Sequence, residues 1–511
     1  MLQLSVPIRR TDYLLLFSVL TVVCAAYWRT LLLPFIQDDF GLLRFAQSTD
    51  IVTALQTIFR YAGRLFYRPL GQTYVLAMYK IFGPNPIPFH VAALTIHIAN
   101  SCLVAFIINA IIRNKITSYL TALIYASAIA IHVDPLAWAV GIYDIGAAFF
   151  VFLSIWLFIT NRLVSSAFAY FLGCLFKESA VVLPVILFAY AALMSPVTGW
   201  QQTIRSHWKR VIPFLLAMFV IGTIKVSGES PLTYPTTHPY AMDLGHAPRN
   251  ALKYLCWMLQ SFLPFSSFEQ NTLRPSIIGV ILVLWGTLAR HSRESGSRRI
   301  FLLAVWAMVG LLPVILFSNH TYRYYATYSL PALVGCLLYA SRRTLESFGI
   351  GQAATSAILV FFSCFAVAGS VIQANRIYLE GLNQRTLADG TNALIRRAAV
   401  VSIVQDGLKQ YVPTPPRGAV ILIGSADLWS FDKDRGLQFW YDDGSIHVYA
   451  LDELKTDNGR AFIENPVEDQ GQAYTGGVHK RVFLDPSRVF AFRVSEGRLI
   501  AVDLEQITQP R

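Results

Sequence analysis

Apolar runs near the length that crosses a bilayer recur between Tyr13 and Ile372, and they decide what this chain can fold into. A membrane-spanning helix needs about 20 predominantly apolar residues. The composition agrees: 55% of the residues are hydrophobic and 14% charged, with mean hydropathy +0.48. A soluble chain usually carries about 25% charged residues. The net charge of +12 does not indicate nucleic-acid binding, because the basic residues are scattered through short connections between apolar runs. Basic residues so placed set membrane orientation. The six cysteines all lie in apolar stretches and show no metal-site spacing.

Arg9 and Arg10 precede the first run, about Tyr13 to Leu33, which lacks a small-x-small cleavage site and reads as a retained span with a cytoplasmic start. Residues 40–86 form a long first external loop, with interfacial helices at Ile51–Tyr61 and Gln72–Phe82 and a stop at Gly83-Pro84-Asn85-Pro86. Further spans follow at Phe89–Ile112, Thr117–Ile131, Ile142–Thr160, Ser165–Phe176, Ser179–Met194, Val211–Val226, Ser276–Ala289, Phe301–Phe317, Ala326–Ala340 and Thr355–Ile372, with a third interfacial helix at Pro248–Leu263. This gives eleven spans. The inner connections then hold fourteen Lys/Arg against three acids, Asp12, Glu294 and Glu346. The odd number puts the C-terminal region outside.

Residues 1–372 therefore read as a transmembrane region and 373–511 as a small extracytoplasmic domain, α/β or mostly β. That domain opens with a helical stretch, Gln373–Gln410, broken by Pro413-Thr414-Pro415-Pro416. Strand-like runs follow at Ala419–Ile423, Leu437–Tyr441, Ile446–Leu451, Val482–Leu484, Val489–Val494 and Leu499–Leu504, with turn signals at Asp442-Asp443-Gly444 and Asp457-Asn458-Gly459.

This topology gathers the chemistry-bearing residues on one side. Asp38 and Asp39 stand where the chain leaves the first span. Tyr67-Arg68, His132 to Asp134, Asp144, Lys177-Glu178 and Asn319 to Tyr324 fall on the same side. Cations outside the membrane run against the positive-inside rule. They make sense if Arg68, Lys177 and Arg323 balance an anionic lipid phosphate. A polyprenyl phosphate leaves readily once its charge is balanced, and a carboxylate can take the proton of an attacking hydroxyl. A monophosphate leaving group requires no metal in this scheme, and the scheme does not exclude one. Most of these positions also have a structural reading. Asp134 can cap a turn before Pro135, and Asp144 suits a helix start. Lys177 and Glu178 can pair with each other. His97 and Asn100 share a helix face with His90 and can hydrogen-bond between helices. Tyr322, Tyr324 and Tyr325 can form an aromatic belt.

The order of these motifs resembles the GT-C membrane glycosyltransferases, which include protein O-mannosyltransferases, the lipid A aminoarabinose transferase and the tetratricopeptide-bearing transmembrane O-mannosyltransferases. The resembling pieces are Gln37-Asp38-Asp39-Phe40, Tyr67-Arg68-Pro69-Leu70, His90 to Asn100, His132-Val133-Asp134-Pro135 with Asp144, and Phe176-Lys177-Glu178-Ser179. The resemblance implies a polyprenyl-phosphate-linked sugar as donor, a protein, lipid or glycan acceptor, and inversion at the anomeric carbon. It implies a base at Asp38 or Asp39, assisted by Asp134 or Asp144. It places Arg68, Lys177 and Arg323 on the donor phosphate, with Glu178, His97, Tyr67, His132 and Tyr324 in support. With the odd span count, the chain reads as a multi-pass protein of a bacterial inner membrane, its N-terminus cytoplasmic and its C-terminal domain periplasmic. The chain departs from the tetratricopeptide group in its C-terminal domain, and from the mannosyltransferases in having Asp-Asp where they have Asp-Glu. A flippase for lipid-linked sugars and a polysaccharide ligase or polymerase are the alternatives. The first calls for midplane polar groups and inverted repeats. The second calls for chemistry on the 227–273 loop, with His238, His246 and Arg249. The topology predicts that a cysteine placed near residue 440 reacts with an impermeant thiol reagent from outside intact cells; labelling only after lysis would overturn it.

Overall fold

The computed structural model describes residues 10–60, 66–194, 200–226, 238, 240–264, 295–383, 392–457, 460–466 and 479–503. Along the chain the helices are α1 (Arg10–Tyr27), α2 (Asp39–Ser48), α3 (Ile51–Arg60), α4 (Pro69–Phe82), α5 (Ile87–Ile112), α6 (Lys115–Ser127), α7 (Ile129–Ala137), α8 (Ile142–Ile159), α9 (Leu163–Phe176), α10 (Leu183–Leu193) and α11 (Trp200–Val226). They continue as α12 (Ala247–Leu259), α13 (Ser295–Val309), α14 (Leu312–Ile315), α15 (Leu330–Ser347), α16 (Gln352–Asn383), α17 (Ala393–Tyr411) and α18 (Asp434–Tyr441). Two compact units result. One comprises 1–31, 55–74 and 88–376. The other comprises 32–54, 75–87 and 377–511. Two segments of the first loop thus group with the C-terminal residues.

The first unit is a helical bundle, and the chain is an integral membrane protein. Four segments among the described residues are long and apolar enough to cross a membrane: Asp12–Leu32, Ile87–Ile112, Ala139–Ile159 and Gln352–Gly381. The peripheral helices α1 and α16 keep large apolar side chains exposed, among them Phe17, Phe361, Phe362 and Phe365, as a lipid-facing surface requires. α8 is the most enclosed of the four spans and packs along α9. The run expected as one span at Thr117–Ile131 is instead broken: α6 and α7 meet at 50°. Leu163–Phe176 and Glu178–Leu193 are apolar but shorter; α11 covers the run expected to span at 211–226, and helices form over parts of those at 301–317 and 326–340. Ser276–Ala289 lies outside the described residues.

Local chemistry explains several boundaries. Pro69 opens α4, where its missing N–H costs nothing. Gly83, at φ +64°, ends the helix in the left-handed conformation that glycine adopts freely. The Asn114 side chain accepts from the Thr117 N–H at 3.0 Å and caps α6.

The second unit contains an α/β layer. Four strands lie in the order β2 (His447–Ala450), β1 (Val420–Gly424), β6 (Val489–Ser495) and β7 (Arg498–Ala501). β1 is parallel to β2 and β6, while β7 is antiparallel to β6. A separate antiparallel sheet joins β3 (Lys455–Asp457), β4 (Arg460–Pro466) and β5 (His479–Phe483). Leu422, Leu451, Ile463, Val489 and Ala491 form a core here. The strand expected at Leu437–Tyr441 is the helix α18. Parallel β1 and β2 need a crossover, and α18 lies within it. A five-residue apolar run cannot separate a strand from a short buried helix.

In the first unit, a Cβ on Gly146 of α8 would stand 2.7 Å from the Phe176 ring. That ring is buried and tilts against Phe150 at 5.5 Å. Gly146→Ala is expected to cost about 1–3 kcal/mol through overpacking, read as a lowered unfolding temperature in detergent; an unchanged transition would contradict this close approach.

Candidate active site

In the first unit, four charged residues from distant parts of the sequence meet. Asp144 sits in the first turn of α8, and Lys177 ends α9 in an extended conformation. Glu178 opens the following 3-10 turn, and Arg68 directly precedes α4. Lys177 Nζ donates to Asp144 Oδ1 at 2.5 Å, with the two residues only 4% and 8% exposed. Arg68 grips Glu178 with two parallel bonds, Nε to Oε2 at 3.0 Å and Nη2 to Oε1 at 2.5 Å. The adjacent residues Lys177 and Glu178 therefore do not serve to pair with each other; each takes its own partner. Burial works against the Arg68 charge, but the Glu178 carboxylate outweighs it and holds the guanidinium more firmly charged.

Aromatic rings surround the cations. Lys177 Nζ lies 4.4 Å from the Tyr325 ring centre and 5.3 Å from that of Tyr324, and Tyr324 stacks on Tyr322. The Arg68 guanidinium lies 4.5 Å from Phe66 and 5.4 Å from Tyr143. Such faces attract cations through the ring quadrupole. His320 packs against Tyr240 at 4.0 Å and Tyr322 at 4.6 Å. Burial, with Lys177 and Arg68 adding to it, pushes its pKa down to about 4, so it is neutral near pH 7. Tyr67 is buried, and its hydroxyl donates to the Phe59 carbonyl at 3.4 Å.

Arg323 belongs to a different group. Its guanidinium is 5.8 Å from the Trp257 ring centre, and Lys253 Nζ is 4.8 Å from the same ring while donating to Thr321 Oγ1 at 2.7 Å. Burial lowers the Arg323 pKa, and the charge of Asp134 opposes that. Asp134 lies on α7 with Pro135 inside the helix, so neither it nor His132 occupies the loop expected from sequence, and Asp134 does not cap a turn. Lys253 and Trp257 went unnoticed in the sequence, although their i, i+4 spacing on the amphipathic α12 was a readable signal.

His97 and His132 pack in the bundle core with ring centres 4.5 Å apart, beside Tyr125 and Tyr27. His97 Nε2 bonds the Ala126 carbonyl at 3.0 Å, next to the break between α6 and α7. Asn100 Nδ2 donates to the Ile145 carbonyl of α8 at 3.0 Å. Both make the interhelical bonds that their shared face predicted.

The acidic motif lies in the second unit. Gln37 adopts φ +50°, a left-handed conformation that costs a non-glycine residue about 1–3 kcal/mol. The strained residue directly precedes the two acids, which differ in exposure. Asp39 is 2% exposed, and its Oδ2 accepts the Ile36 N–H at 2.9 Å. Asp38 is exposed at the N-terminus of α2. Among the described residues, no group of three or more His, Cys, Asp and Glu side chains is arranged to hold a metal ion.

No protein-family model and no curated protein matches the chain. Solved structures similar to it include two membrane enzymes. One is ArnT from Cupriavidus metallidurans bound to undecaprenyl phosphate, at 11% identity over 86% of this chain and 86% of that one, with a TM-score of 0.47. The other is the oligosaccharyltransferase of Archaeoglobus fulgidus in the apo form, at 9% identity over 86% of this chain and 64% of that one, also with a TM-score of 0.47.

The buried pair makes a stability prediction. Asp144→Ala leaves the Lys177 ammonium without its carboxylate and is expected to cost roughly 3–5 kcal/mol. Adding Lys177→Met should return most of that loss, as followed by thermal unfolding in detergent. A double variant no more stable than the single would contradict the pairing.

Proposed function

We propose that the chain is an integral-membrane glycosyltransferase of GT-C type. It moves a sugar from a polyprenyl-phosphate donor to a hydroxyl of a protein, lipid or glycan acceptor on the extracytoplasmic face, with inversion. The observation that carries this reading is the Arg68–Glu178 and Lys177–Asp144 cluster, two ion pairs joined through adjacent residues. The order of motifs along the sequence supports it.

As it stands the cluster is electrically balanced. A phosphate can share the donors of Lys177 and Arg68 with Asp144 and Glu178, which otherwise keep both cations oriented. The aromatic faces limit water around Lys177, which strengthens its field on a leaving group. The acceptor hydroxyl oxygen attacks the anomeric carbon, and a new C–O bond forms as the bond to the phosphate oxygen breaks. The electron pair leaves with the polyprenyl phosphate, where Lys177 and Arg68 balance it. The hydroxyl proton goes to a carboxylate. A single displacement inverts the carbon.

Asp38 suits the base better than Asp39. Its carboxylate is exposed, whereas Asp39 is buried and holds the Ile36 N–H. Asp38→Asn is expected to lower transfer by about 10²–10⁴-fold, the range for loss of a general base. Asp39→Asn keeps an acceptor oxygen for Ile36 and should fall much less. Release of undecaprenyl phosphate from a panel of undecaprenyl-phosphate-linked sugars in membranes measures both. Full transfer by Asp38→Asn would overturn the assignment.

A further inference from the structure

Within the second unit, the acidic motif is fastened to the C-terminal residues through the position just before it. The Gln37 N–H donates to the Ser430 carbonyl at 2.8 Å. With its amide oriented so that oxygen faces donors, Gln37 accepts from Trp429 Nε1 at 2.8 Å and from the Arg397 guanidinium. Arg397 Nε also donates to Asp427 Oδ2 at 2.9 Å, and Asp427 Oδ1 accepts the Trp429 N–H at 3.1 Å. These contacts close a ring from α17 through the turn after β1 to Gln37. Gln37 is only 5% exposed, and a buried amide that loses its partners is costly, so the ring dictates its orientation.

A second anchor lies just past the acids. Phe40 meets Trp440 edge-on at 5.5 Å and Phe439 at 5.9 Å. A Cβ on Gly41 would stand 3.2 Å from Asp432 Oδ2 and Arg435 Nη1, and Arg44 pairs with Asp442 at 2.6 Å. Asp38 and Asp39 are thus clamped on both sides. The transfer chemistry itself has no use for Gln37, Arg397 or Trp429.

We propose that the C-terminal domain serves the reaction as a positioning scaffold: Arg397, Asp427 and Trp429 hold Gln37, and Gln37 is the positioning residue that sets where the Asp38 carboxylate stands. The inference rests on Asp38 being the base. It gives the domain a task in the chemical step that is separate from any recognition of the acceptor.

The test uses the full-length protein in detergent with three variants. Gln37→Met removes the acceptor oxygen, Trp429→Phe removes one donor and keeps an aromatic ring, and Gln37→Glu keeps an oxygen for both donors. Hydrogen exchange of the amides in 38–44 is measured first, since it needs no sugar. Gln37→Met and Trp429→Phe should speed it about tenfold while β1 and β6 exchange as before. Unchanged exchange in 38–44 would overturn the scaffold, and faster exchange throughout the domain would reduce it to ordinary stability. Turnover of the undecaprenyl-phosphate sugar panel comes second. The same two variants should lose kcat by about tenfold or more with the donor KM held within about twofold, and Gln37→Glu should regain most of it. A raised KM at unchanged kcat would overturn the scaffold as well. If the unaltered protein turns over none of the panel, the glycosyltransferase reading fails, and the exchange result still decides whether the ring holds the motif.

Discussion

Lys177 can be buried in a membrane-embedded bundle because Asp144 stands 2.5 Å away. An isolated ammonium in that setting would lose its proton or drag water inward. The pair dictates much around it. α8 must start where Asp144 can face the end of α9, and α9 must end extended so that Lys177 reaches it. The chain then has one residue, Glu178, with which to capture Arg68. Ring faces from the Tyr322–Tyr325 segment cover the remaining side. The result is a polar cluster whose charges cancel among themselves, which a low-dielectric surrounding tolerates and a single charge does not.

The second unit solves a different problem, that of holding a short strained segment still. Gln37 at φ +50° would relax if it were free. The Ser430 carbonyl takes its N–H, and the Trp429 indole and Arg397 guanidinium take its side-chain oxygen, so its polar groups are satisfied in the strained form. Strain of this kind persists only where neighbours over-determine it. Here the neighbours come from a region more than 350 residues away in sequence.

Much of this was legible in the sequence. Apolar runs located α5, α8 and α9 to within a few residues. Lys177 and Arg68 were recognisable as misplaced cations, and Asp144 and Glu178 as acids on the same side. The pairing among them was not, since nothing in one sequence says which carboxylate meets which cation. Arg323 shows the same limit: its sequence neighbours face Lys177, yet its own side chain turns to Trp257. The misread segment at Leu437–Tyr441 failed for another reason. Its aromatic residues favour a strand, and only the parallel pairing of β1 with β2 demands a crossover there. Gln37 was noted only as part of the acidic motif; its contacts were not legible because its partners are an indole and a guanidinium from the far end of the chain.

The break between α6 and α7 has a consequence for how the protein is made. A run such as 115–137 ordinarily enters lipid as one straight helix. Bending it by 50° at Ala128 loosens the hydrogen-bond ladder and leaves the Ala126 carbonyl to His97. His97 is on α5, which leaves the ribosome first. The partner for the break therefore precedes it in the chain, so the bend depends on no helix that is made after it.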